Sequence, residues 1–270
     1  MVDQYYVVGH PISHSLSPTM QALFAQQTGE SLRYGALDIM PGGFVKTLNR
    51  LKAQGVMGVN VTLPYKQEAH DYASELTNRA KQAGAVNTIC FHKNGSVVGD
   101  NTDGVGFMVD LCHRHHQVLK EKRILVLGAG GAARGVLPVI FAEKPACVVI
   151  ANRTIVKAEQ LAGQFQALGQ IKVVGYEQLS GQFDLIIHTT SVGLGSEVLP
   201  LKSSIFKGAF CYDLAYAKAL TPILQMAKGH GASGVADGRG MLVEQGAEAF
   251  YLWRGIRPQT SDVLARLFPA

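Results

Sequence analysis

Nowhere in the 270 residues does an apolar run approach the ~20 residues that span a bilayer, and Met1 to Gly9 lack the basic flank and long apolar stretch of an export signal. A cytoplasmic protein without membrane contact is expected. Cysteine is sparse: Cys90, Cys112, Cys147 and Cys211 are scattered, with no Cys-x-x-Cys and no Cys/His ligand spacing, so they read as reduced thiols and give no metal site. His113, His115 and His116 crowd one short stretch, but adjacent residues do not share a helix face, and they read as a solvated helix end. Charged residues make up only 17%, with no basic run interleaved with aromatics, which excludes the usual nucleic-acid surface. That low charge beside 47% hydrophobic residues leaves little scope for disorder.

What is present suffices for two domains, each with its own core. The net charge of +5 is unevenly placed: residues 105–238 hold 13 Lys and Arg against 9 Asp and Glu, which suits a small anionic ligand there. Strand and helix signals alternate through the first hundred residues: Tyr5–Val8, a helix from about Pro18, Leu32–Ile39, a helix from about Gly43 to Gln54, then Val56–Val61. Asn87–His92 and Ser96–Gly99 flank Asn94-Gly95, the signal for a two-residue hairpin turn. Gly104–His116 reads as a connecting helix. Strands then follow near 124–127, 146–151, 171–174, 183–187 and 209–213, and helices over 241–254 and 260–268 that should pack back onto the first domain. The expected fold is α/β, with a mixed or parallel sheet in residues 1–104 completed by 239–270, and a dinucleotide-binding Rossmann domain over 105–238.

The Rossmann expectation rests on Ile124 to Gly135, an apolar run that stops at a Gly-x-Gly-x-x-Ala turn and continues into a helix. Gly128 and Gly130 let the backbone approach a pyrophosphate, and small Ala133 lets helix and strand pack closely. Gly131 and Ala132 open the helix whose free N–H groups would take the anion. The fingerprint alone also fits a tight turn without ligand. The next strand ends in Asn152-Arg153-Thr154, where such folds place the residue that reads the adenosine ribose. An acid would accept from a 2′-hydroxyl. Asn152 and Arg153 instead suit a 2′-phosphate, with Lys157 adding charge one turn on and Thr154 placed to cap the helix, so NADP is expected over NAD.

Chemistry-bearing residues cluster at other strand ends. In Gly9 to Pro18, Ser17 before a proline reads as a helix cap. Ser15 has no such explanation, and two hydroxyls beside a helix start can bind a carboxylate. Asn60 and Thr62 share one face of a strand, and Lys66 lies just beyond. Ala85-Val86-Asn87-Thr88 and Gly99 to Gly104 place further polar groups at strand ends, including Asp103. A Lys and an Asp in one cleft can exchange protons with a hydroxyl. Gln245 lies in the stripe Met241, Gln245, Ala249, Leu252, where a lone amide must find partners.

The set GHPISHSLSP, NVTLPYK, GAVNT, GDNTDG, GAGGAARG, NRT and DGRGMLVEQ, in this order over nearly the full chain, resembles the shikimate dehydrogenase family. The resemblance implies NADP-linked reduction of 3-dehydroshikimate to shikimate in aromatic amino-acid biosynthesis; a monomer or homodimer that binds no nucleic acid is expected. It also implies Ser15 and Ser17 on the substrate carboxylate, and Asn60, Thr62, Asn87, Asp103 and Gln245 around the ring hydroxyls. Lys66 and Asp103 would be the catalytic pair, with Tyr216 on the substrate side and Gly238 on the cofactor side of the opposite wall. Two positions depart from the pattern: His188 stands in His188-Thr189-Thr190-Ser191 where Asn is usual, and Gln21 where His often follows. Competing readings are an NAD-linked quinate dehydrogenase, against which Asn152 and Arg153 weigh, and a non-catalytic sensor. The latter could dispense with Lys66 or Asp103, and both are present.

Overall fold

The computed structural model describes residues 2–190 and 199–269 and divides into two compact units, Met1–Gly106 with Leu242–Ala270, and Phe107–Met241. The first unit opens with β1 (Asp3–Gly9), α1 (Ser17–Thr28), β2 (Leu32–Asp38), α2 (Phe44–Ala53), β3 (Gly58–Val61), α3 (Lys66–Tyr72), β4 (Glu75–Leu76), α4 (Asn78–Ala83), β5 (Thr88–Phe91), β6 (Val97–Asp100) and α5 (Asp103–Met108). Its sheet runs β2-β1-β3-β5-β6-β4. β1 is parallel to β2 and β3, whereas β5 is antiparallel to both β3 and β6. Phe44, Leu48 and Leu51 recur at helical spacing on α2 and bury against Val8, Val59 and Val61 of the sheet.

In the second unit β7 (Arg123–Leu127), α6 (Gly131–Ala142), β8 (Cys147–Ala151), α7 (Ile155–Phe165), β9 (Ile171–Val174), β10 (Leu185–His188), β11 (Phe210–Asp213), α8 (Pro222–Gly229) and β12 (Gly234–Asp237) follow. The sheet order is β12-β11-β10-β7-β8-β9, parallel throughout, which is the doubly wound dinucleotide-binding arrangement. Its strands bury both faces: Ile124 and Val126 enter one core, Leu125 and Leu127 the other. The chain then returns through α9 (Arg239–Arg254) and α10 (Thr260–Leu267). Val243, Ala247 and Phe250 of α9 and Val263 of α10 close over Met20 and Phe24 of α1.

Several expectations need correction. The β5–β6 hairpin is not a two-residue turn. His92 N donates to Ser96 O and Gly95 N to His92 O, and Gly95 takes φ +90, so the loop is Lys93-Asn94-Gly95 with only glycine left-handed. A two-residue type I′ turn would need Asn94 left-handed as well. The two units divide at Gly106/Phe107 and Met241/Leu242, both inside helices, where composition does not change. β12 was not anticipated, being four residues, three of them partly exposed, whose only strand partner among the described residues is β11. Nor is His115 solvated. After α5 the helix widens into a π-helical turn, Val109–Arg114, which leaves His115 half-buried on the Phe210 ring with Nε2 3.7 Å from Asp110 Oδ2.

Candidate active site

Sheet topology gathers the first group. β1 and β3 are parallel neighbours, so the segments after Gly9 and Val61 leave at the same end. β5 runs the other way and therefore begins there, after Asn87, and β6 ends there at Asp100. The joints are tight: Thr62 N donates to Val8 O and His10 N to Leu63 O, both at 2.9 Å, and a Cβ on Gly9 would sit 2.5 Å from Thr62 Cγ2. Val86 N donates to Lys66 O at 2.8 Å, which ties the start of α3 to the Asn87 segment.

At this end Lys66 Nζ and Asp103 Oδ2 form an ion pair, with only 14% and 7% of the two side chains exposed. Asp103 Oδ1 accepts from Asn87 Nδ2 at 2.8 Å, and the same nitrogen lies 2.9 Å from Thr102 Oγ1 and 3.4 Å from Gln245 Oε1. Lys66, Asn87, Asp103 and Gln245 thus form one network. Gln245 is steadied by donating to Leu242 O at 2.8 Å. Asn60 is more committed than expected: it accepts from Tyr34 Oη at 2.7 Å and donates to Asn87 O and Thr88 Oγ1. It braces the strand end. Ser15 and Thr62 are half-buried and Ser17 is buried. The helix-start reading of Ser17 is corrected, because α1 begins at Ser17 itself, preceded by Leu16, with no side-chain cap bond. Ser15 Oγ instead accepts from Ser17 N, at 3.3 Å.

In the second unit Gly128 is buried at φ +115, where a Cβ would lie 2.5 Å from Thr189 Oγ1, so only glycine fits. Gly130 is exposed, and a Cβ there would meet nothing among the described residues within 4 Å, which leaves the space an approaching ligand needs. Gly131 and Ala132 start α6, and Gly130 before them carries no side chain to cap the helix. That N-terminus fits a pyrophosphate. Ala133 is fully buried where α6 meets the sheet core. Asn152 Nδ2 donates to Thr154 O at 2.8 Å, which shapes the turn after β8, while Arg153, Thr154 and Lys157 are exposed. Thr154 precedes α7 as expected but makes no side-chain cap bond. Tyr216 is half-buried, and burial pushes its phenol up. Gly238 N donates to Ala215 O, and a Cβ on Gly238 would lie 2.0 Å from Leu214 O.

Family models match three stretches in order: a shikimate dehydrogenase substrate binding domain over residues 7–89, a shikimate/quinate 5-dehydrogenase domain over 110–196, and a shikimate 5′-dehydrogenase C-terminal domain over 238–268. The chain belongs to the shikimate dehydrogenase family. Among relatives of that family, shikimate dehydrogenase (NADP(+)) of Alkalilimnicola ehrlichii is 45% identical over the whole of both chains. A solved Ael1 enzyme from Pseudomonas putida superposes with TM-score 0.92 at 38% identity over 99% of each chain. Shikimate 5-dehydrogenase from Thermus thermophilus, solved with NADP(H) and shikimate, gives TM-score 0.87 at 34% identity, covering 98% of this chain and 99% of its own.

Three residues of the network were not singled out from sequence. Thr102 donates to, and accepts from, the Asn87 amide, and Asn101 Oδ1 takes the Asp103 N–H at 3.1 Å. Both lie inside GDNTDG, so the motif was visible although their work was not. Tyr34 had no signal, since only the pairing of β1 with both β2 and β3 brings it to Asn60. At the departures from the family pattern, Gln21 is fully buried and donates to Gly246 O at 3.1 Å, a helix-packing role. His188 and Thr190 are described below, and Ser191 lies outside the described residues.

Proposed function

We propose that the protein is an NADP-linked cytoplasmic oxidoreductase that reversibly reduces 3-dehydroshikimate to shikimate, for aromatic amino-acid biosynthesis. The observation that carries the reading is the near-buried Lys66–Asp103 pair, held by Asn87, which also donates to Gln245, in a chain matching the family from end to end. When bound, the dinucleotide supplies the hydride. Negative charge then develops on the 3-keto oxygen, and a proton donor within hydrogen-bond reach lowers that barrier. Lys66 is the donor. Asp103 accepts from the neighbouring ring hydroxyl and keeps the ammonium in place.

Ser15 and Ser17 take the carboxylate, and Asn87, Thr62 and Gln245 take ring hydroxyls, with Tyr216 as a further substrate contact. Asn60 serves mainly by bracing Asn87 and Thr88, since its amide is filled by protein partners. Gly128, Gly130, Gly131 and Ala132 receive the pyrophosphate, Gly238 keeps the backbone clear of a side chain, and Asn152, Arg153, Thr154 and Lys157 bind the 2′-phosphate. Among the described residues no helix is long and apolar enough to cross a membrane. A monomer or homodimer is read out by size-exclusion chromatography with light scattering. The deciding assay follows NADPH oxidation with 3-dehydroshikimate. Turnover only with NAD and dehydroquinate identifies the quinate enzyme instead, and binding without turnover identifies a sensor.

A further inference from the structure

His188 ends β10 and Asp213 ends the adjacent β11, at partnered positions in the sheet, with 2% and 0% of the residues exposed. Nothing in the proposed chemistry uses this buried pair. His188 Nδ1 lies 2.9 Å from Asp213 Oδ1, and Nε2 lies 2.5 Å from Thr190 Oγ1. The carboxylate is otherwise filled by Ala215 N at 3.0 Å and the Thr221 hydroxyl at 2.5 Å. A carboxylate accepts, so Nδ1 carries the proton, and in the neutral ring Nε2 accepts from the Thr190 hydroxyl. Thr190 Oγ1 then faces its surroundings with acceptor lone pairs alone.

Its location is specific. Strand order reverses between β7 and β10, and ligands of such sheets lie at the carboxyl ends of the strands beside that reversal. β8, on one side of β7, carries the adenosine-reading residues, so the other nucleoside half falls on the β10 side. There Thr189 and Thr190 rest against the phosphate loop: a Cβ on Gly128 would meet Thr189 Oγ1 at 2.5 Å and Thr190 Cγ2 at 2.7 Å. Thr189 N and Oγ1 both donate to Leu127 O, at 2.8 and 2.9 Å. Asp213 in turn holds Ala215, next to Tyr216. The dyad therefore ties the phosphate loop to the Leu214–Tyr216 segment through one rigid ring.

We propose that His188 and Asp213 are positioning residues that present the Thr190 hydroxyl as a hydrogen-bond acceptor to the carboxamide N–H of the nicotinamide. This rests on the dinucleotide reading above. His188→Leu removes both ring bonds, and Thr190→Val removes the acceptor at nearly constant shape, so one variant remains informative if the other fails to fold. His188→Gln, which reaches the Nε2 position, restores part of the loss. Binding is measured for NADP, for adenosine 2′,5′-bisphosphate, which has only the adenosine half, and for the 3-acetylpyridine analogue of NADP, which lacks the amide donor. The expected result is NADP binding weakened at least about fivefold, as for a lost hydrogen bond in a buried network. The bisphosphate and the acetylpyridine analogue change less than twofold, and shikimate KM is held. Equal weakening of all three ligands makes the dyad merely structural and overturns the proposal. So does NADP binding unchanged in either variant. Should the wild-type protein itself bind no NADP, the dinucleotide reading has failed rather than the role of His188.

Discussion

Replacing Lys66 tests the chemistry most directly, because among the described residues its ammonium has one carboxylate partner, and it has little solvent. In Lys66→Ala the Asp103 carboxylate, 5% exposed, retains Asn87 Nδ2 at 2.8 Å but loses its counter-charge. For a wholly buried pair that loss costs about 3–5 kcal/mol, and the surviving amide bond together with the residual exposure of Lys66 reduces it to about 1–3 kcal/mol. The fold should therefore survive, with a lower urea midpoint. The catalytic effect is larger. General acid–base catalysis contributes ~10²–10⁴, so kcat should fall by that factor, about 3–5 kcal/mol in the barrier. A group that acts in the transition state lowers kcat and kcat/KM alike, so shikimate KM should stay close to wild type. Initial rates from NADPH absorbance over a shikimate series separate the two parameters, and Lys66→Met, which keeps the apolar stem, controls for lost packing. If both variants keep kcat within a few-fold and only raise KM, Lys66 is a binding residue and the proton comes from elsewhere.

Arg153→Ala should raise KM for NADP by one to two decades, as expected for losing a charged contact of about 1.5–3 kcal/mol, and hardly touch NAD; equal weakening of both dismisses the 2′-phosphate assignment. Because Ser15 rather than Ser17 receives the helix-start N–H, Ser15→Ala should raise shikimate KM and cost about 0.5–1 kcal/mol, whereas Ser17→Ala should raise KM at unchanged Tm; the reverse pattern in thermal melts returns the cap to Ser17. Burial alone would raise the Glu248 carboxyl, but hydrogen bonds from Arg79 and Arg257 at 2.7 Å hold it below its ordinary 4.5. Its stabilising contribution is thus complete above that value and lost as pH falls through the lower folded one. Glu248→Gln should flatten the acid side of the stability–pH curve, and an unchanged curve removes Glu248 from that role.

Legibility followed the distance over which each signal acts. The phosphate loop was readable because strand, turn and helix start are contiguous, and Gly128 needs its φ whatever surrounds it. Lys66 and Asp103 were legible through their motifs, but the network joining them is not local: Asn87, Thr102 and Gln245 meet only after β5 pairs antiparallel with β3 and α9 returns. The serine cap failed for a subtler reason. Ser-Pro is the usual signature of a cap followed by the first helical residue, yet here the helix starts one residue earlier and Ser15 reaches forward from the turn. Short elements such as β12 carry no periodicity of their own.

The first unit is built from both ends of the chain, with the second unit between them. During synthesis at ~5–20 residues per second, roughly 7 to 27 seconds separate the exit of Gly106 from that of Leu242. Through that interval the Met20–Phe24 face of α1 has no α9 to cover it, and Gln245 has not joined Asn87. All six strands of the second sheet, and with them the phosphate loop, emerge before that cover arrives. A nascent chain therefore has its dinucleotide half available before its keto-acid half can be finished, and the apolar face of α1 stays uncovered until α9 has emerged.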